Sequence, residues 1–139
     1  FKVMLDVDGD TVTRTFEVRG DPALQLTLAQ QKEREAFLVE VQDIQVKVEE
    51  RSAEIRTRRV AATGAEADRL AVLERRLTAG RDAPRAKLSG VARNFNGSGA
   101  QQGSFFPPTA LHRQALVDAK EELAAVEKEL KGGVGAAKP

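Results

Sequence analysis

Apolar residues alternate with polar ones near the start of the chain and recur every three or four positions from Phe37 onward. Phe1, Val3, Leu5 and Val7 alternate with Lys2, Met4 and Asp6, and Val12, Phe16 and Val18 alternate with Thr and Glu. Period two with β-branched residues predicts two strands, and Asp8-Gly9 supplies the positive φ angles of a type I′ turn. A two-residue loop sets Leu5 opposite Val12 and Phe1 opposite Phe16; a four-residue loop sets Val7 opposite Val12 and Val3 opposite Phe16. Both keep one apolar face. A lone two-stranded hairpin is marginal in water, so this one packs on helices or completes a sheet outside the chain.

Gly20-Asp21-Pro22 breaks the strand, and Thr27 with Gln30 makes a capping-box pattern. No Gly or Pro follows until Gly64. Phe37, Val41, Ile44, Val48 and Ile55 form a seam in which Arg51 fills the gap, and Leu38 and Val39 widen the stripe. A helix over 27–61 is about 50 Å long, the length of a coiled-coil arm. Thr63 and Glu66 offer a second capping box, followed by a shorter helix through Leu70, Leu73 and Leu77 that ends near Gly80. Pro84 starts further turns through Leu88 and Val91. Thr109 caps a last helix whose His112, Leu116, Ala119, Leu123, Val126 and Leu130 step by four, three, four, three and four, until Gly132-Gly133 stops it.

Folding these seams together antiparallel predicts a mainly α (α+β) chain. Residues 1–20 form a β-hairpin, and 24–131 form a long antiparallel helical hairpin or a three-helix coiled-coil-like bundle. A loop lies over 94–108 and a flexible tail or linker over 132–139.

Composition narrows the functional classes. The 139 residues suit one domain, and 41% are apolar, enough for a core. Twenty-two basic residues nearly cancel 21 acidic ones, so no global field favours nucleic acid or an anionic membrane. No apolar run is long enough to insert into a membrane. The absence of Cys excludes disulfides, thiolate metal sites and a Cys nucleophile. Without Trp or Tyr, and with six Phe, there is little for a stacking platform. Nothing in the pattern calls for a cofactor or a small-molecule ligand.

Six features bear on chemistry or contacts. Asp6, Asp8, Asp10 and Glu17 have the spacing of an EF-hand loop, but Thr11 stands where that loop needs Gly, and the flanks read as strands. Glu17 then lies about 20 Å from the turn, which leaves Asp6, Asp8 and Asp10 as the candidate calcium ligands. His112 is the single histidine and occupies a helix seam. Gly97, Gly99 and Gly103 lack the strand and Lys of a phosphate loop, and Asn96-Gly97-Ser98 matches a glycosylation sequon but reads as a turn. Arg56, Arg58 and Arg59, with Arg75 and Arg76, are interleaved with acids and read as solvated helix faces. The loop from Asn94 ends in Phe105-Phe106-Pro107-Pro108, which either plugs the bundle end or hairpin or offers a contact surface. Asn96, Phe105, Phe106, Pro107 and Pro108 are the candidate interaction residues.

The opening FKVMLDVDGDTVTRTFEVRGDP, through Val3, Leu5, Val7, Asp8, Gly9, Phe16, Val18, Asp21 and Pro22, resembles a junction in large secreted bacterial proteins. These carry a sialidase-like or sortilin-like BNR-repeat β-propeller and are often classed as glycosyl hydrolases. Pro108-Thr109 before the last helix is similar as well. The resemblance implies that the hairpin closes an immunoglobulin-like sandwich, that the chain is the C-terminal part of a larger protein, and that it is secreted, periplasmic or at the cell surface. It brings over no catalytic residue. The expected role is a non-enzymatic structural and interaction module, a helical arm for assembly or domain docking. Its partners are protein, either other domains of the parent or further copies. An accessory domain of a carbohydrate-active enzyme is the alternative.

Overall fold

The computed structural model describes residues 1–17, 21–100 and 102–132. The expected Val18 position and the tail beyond Gly132 lie outside them. Strands β1 (Lys2–Val7) and β2 (Asp10–Thr15) pair antiparallel with Leu5 opposite Val12. The two-residue loop is the one adopted, with φ of 53° at Asp8 and 90° at Gly9. Beyond the strands, Phe16 N–H donates to the Phe1 carbonyl at 3.0 Å, and the two rings stack at 5.8 Å.

Four helices follow: α1 (Leu28–Ala61), α2 (Gly64–Thr78), α3 (Pro84–Asn96) and α4 (Ala110–Gly132). The capping box at the start of α1 is complete, with Gln30 N–H on Thr27 Oγ1 at 3.2 Å and Thr27 N–H on Gln30 Oε1 at 2.9 Å. The box expected at Thr63 does not form. Arg69 takes the Glu66 carboxylate instead, through Nε and Nη2 at 2.8 Å each. That hydrogen bonding holds Glu66 below the usual carboxylate range.

The helices make a three-legged bundle whose middle leg is broken. Ion pairs fix its directions. Arg113 of α4 meets Glu33 of α1, Lys120 meets Glu40, and Glu127 meets Arg51, so α4 runs parallel to α1. Arg76 bridges Glu122 and Glu129, and Lys87 holds Asp118 at 2.7 Å, so α2 and α3 return antiparallel to both. The break at 79–83 turns through Gly80, where φ is 93°. Pro84 then restarts the leg at the first helical position, where its missing N–H costs nothing.

The core is the one the periodicity marks, with three corrections. Ser52, not Arg51, continues the seam: it is buried and donates to the Val48 carbonyl at 2.6 Å. A straight helix drifts against a seven-residue repeat, which carries the seam from Val48 by four to Ser52 and leaves Arg51 at the rim on Glu54 and Glu127. Val39 lies outside, about half exposed, while Leu38 packs against the core. The arginine clusters are not simply solvated. Arg56 and Arg59 of α1 both grip Glu74 of α2, and Arg76 ties α2 to α4. No helix of the described residues is long and apolar enough to cross a membrane.

Candidate functional site

The irregular segment expected over 94–108 begins later than its polarity implies. Asn94, Phe95 and Asn96 belong to α3, because Phe95 extends the Leu88 and Val91 seam by one more turn and is buried. Its ring lies 5.8 Å from Phe37 and 4.9 Å edge-on from His112. It thus joins three helices at one end of the bundle.

Arg34, which sequence reasoning missed, organises the loop that follows. Its Nε donates to the Ser104 carbonyl at 3.0 Å and its Nη2 to the Phe95 carbonyl at 3.2 Å, with the guanidinium 5.5 Å over the Phe95 ring. One planar cation thereby satisfies a carbonyl at the end of α3 and one in the loop. The available signal was its place three residues before Phe37, at the edge of the seam. Ser104 N–H also donates to the Asn94 carbonyl at 2.8 Å. Between these contacts, Gly103 passes so close to α3 that a Cβ there would overlap the Phe95 carbonyl.

At the far side of the loop, Thr109 caps α4 as expected, with an unexpected partner. His112 N–H donates to Thr109 Oγ1, and Thr109 N–H donates to His112 Nδ1, both at 3.3 Å. Histidine takes the place that Glu or Gln fills in a capping box. Its Nε2 faces Asn94 Nδ2 at 3.3 Å. With Nδ1 accepting from Thr109, Nε2 is the protonated nitrogen and can bond the Asn94 side chain only through its amide oxygen, so the ring sits between the ends of α3 and α4.

The five candidate interaction residues divide. Asn96 and Phe105 line an open groove of about 1190 Å³ beside the first half of α1, together with Leu24, Leu26, Leu38 and Gln42. Phe105 and Phe106 are 52% and 62% exposed, so they plug neither the bundle nor the hairpin. Pro107 is half-buried and Pro108 buried, which anchors the segment leading into α4. At the hairpin, Asp6 pairs with Thr11 on the polar face while Asp10 sits across from Val7 on the apolar one, with Asp8 in the turn. The three carboxylates thus point to different sides. No group of three or more His, Cys, Asp or Glu that could hold a metal ion occurs among the described residues.

The hairpin presents an apolar face without a cover among the described residues. Phe1, Val3, Leu5, Val7, Val12 and Phe16 share one face, and all are between 46% and 75% exposed. Among the described residues neither strand contacts a helix. Of the two expected covers, the helices of this chain are not the one used. Comparison of the chain with family models, with curated proteins and with solved structures gave no match.

Proposed function

We propose that this chain is a non-catalytic structural and interaction module: a self-sufficient helical arm that carries a β-hairpin for assembly with another domain or chain. The observation behind this reading is the bare apolar face of the hairpin beside a bundle whose own seams are already filled. Monomeric surfaces rarely leave a contiguous apolar patch of that kind uncovered. A two-stranded hairpin also gains too little from its own contacts to hold its shape in water. Membership in a larger secreted protein rests on the sequence resemblance.

Amide hydrogen exchange with light scattering on the isolated chain tests the proposal. The amides of α1 exchange slowly and those of β1 and β2 quickly in the dilute monomer, and the amides that pair β1 with β2 slow down on assembly. A monomer whose hairpin amides are as protected as those of α1 would sink the reading, because the hairpin would then need no partner.

A further inference from the structure

Charge on the apolar face of the hairpin is arranged in a way that selects its cover. Two charged side chains share that face with the six apolar ones: Asp10, across from Val7, and Arg14, across from Val3. They flank the central Leu5–Val12 pair at equal distance, two residues to either side of Val12. Neither forms an ion pair within the described residues. Nor can they reach each other, since four residues of extended strand separate them by about 13 Å.

We infer that this face is covered by the same face of a second copy of the chain, stacked about a two-fold axis through the Leu5–Val12 level. Such an axis lays β2 on its counterpart in the opposite direction. Val12 then meets Val12, Leu5 meets Leu5, Asp10 of each copy meets Arg14 of the other, and Val3 meets Val7. An acid and a base placed symmetrically about an apolar centre are self-complementary under this operation, as an isologous interface requires. Sheets stack about 10 Å apart, a gap that an extended Arg and an Asp span together. The exposed apolar side chains supply on the order of 500 Å² per copy, near the lower bound for a specific interface. Self-association through the free edge of β2 is the competing geometry. The hydrogen-bonded pairs run through Phe1–Phe16, so the N–H groups of Thr11, Thr13 and Thr15 point outward along that edge. Face-to-face stacking leaves them unpaired.

This inference rests on the assembly reading and names its partner. The test uses the whole chain and two charge variants in sedimentation equilibrium. Asp10→Arg and Arg14→Asp each put like charges opposite one another, and each weakens the wild-type dimer about tenfold or more. Mixed in equal amounts, the two variants form a heterodimer. The base introduced in one then faces the acid introduced in the other, and the unaltered Arg14 of the first faces the unaltered Asp10 of the second. Thr11, Thr13 and Thr15 amides stay in fast exchange in the dimer. Variants that dimerise as tightly as wild type, a mixture that stays monomeric, or threonine amides that become protected each overturn the arrangement. A monomeric wild-type chain with unprotected hairpin amides overturns the second-copy cover alone. A monomeric chain with fully protected hairpin amides overturns the assembly reading as well.

Discussion

Gly103→Ala tests the packing of the loop on the end of α3. The substitution is informative because Gly103 does not need glycine for its backbone angles: its φ lies outside the left-handed range occupied by Gly97 and Gly99. It needs glycine for space. A Cβ would overlap the Phe95 carbonyl and sit 2.8 Å from the carbonyl carbon of Asn96, both backbone atoms of a packed helix. Carbon atoms rest about 3.5–4.0 Å apart and the Cβ would sit 2.4 Å from the Phe95 carbonyl carbon, so the loop must retreat by more than about 1 Å. That retreat stretches the 2.8 Å bond from Ser104 N–H to Asn94 and the 3.0 Å bond from Arg34 to Ser104 beyond useful range. One neutral hydrogen bond and one to a charged donor contribute about 1 and about 1.5–3 kcal/mol. Alanine recovers about 0.4–1 kcal/mol by restricting the unfolded chain. The net expectation is a destabilisation of about 1.5–3.5 kcal/mol in urea unfolding at unchanged m-value, with faster proteolysis between Gly97 and Pro108. A change below about 0.5 kcal/mol would mean that the loop accommodates the methyl group without losing these bonds.

Gly90→Ala goes the other way: Gly90 lies inside α3 with open space around its missing Cβ, so alanine stabilises the fold by about 0.5–1 kcal/mol in the same urea assay. Phe95→Ala removes the ring shared by Phe37, His112 and Arg34 and costs about 3–5 kcal/mol, read as a lower denaturation midpoint. Asp118 is held below the usual carboxylate range, first by its hydrogen bond from Lys87 and then by the one from Gln114. A lowered folded-state value means stability that is present above the unfolded carboxylate range and is lost as pH falls through the folded one. In a carboxyl NMR titration Lys87→Gln therefore moves the Asp118 midpoint up and leaves that of Glu66, held by Arg69, in place.

Much of this architecture can be read from spacing alone, and the misses have specific causes. The hairpin's apolar face, the seams of α2 and α4, most of that of α1 and two of three helix caps follow from local patterns, whereas spacing alone allows two hairpin registers. Ser52 was hidden because a serine looks solvent-seeking, yet its hydroxyl is satisfied by the Val48 carbonyl one turn back. Phe95 was hidden by its neighbours, since Asn94, Asn96 and Gly97 read as loop while the seam beneath them continues. The second cap failed because Glu66 had a better partner in Arg69. Arg34 is the hardest case: its two backbone acceptors lie 61 and 70 residues away, so only the folded bundle brings them to it.

Among the described residues the helices of this chain leave the hairpin face uncovered, for a reason that lies in their own packing. Every helix already spends its apolar stripe on the other legs: Phe37 to Ile55 on α1, Leu70 to Leu77 on α2, Leu88 to Phe95 on α3 and Leu116 to Leu130 on α4 form one buried cluster. Turning any of these stripes toward the hairpin would open that cluster, at about 1.5–3 kcal/mol for each large side chain exposed. The hairpin offers six exposed apolar residues in return. The two apolar surfaces therefore stay separate within one chain, and the hairpin face remains available for a surface of its own kind, flat, alternating and oppositely charged at the same spacing.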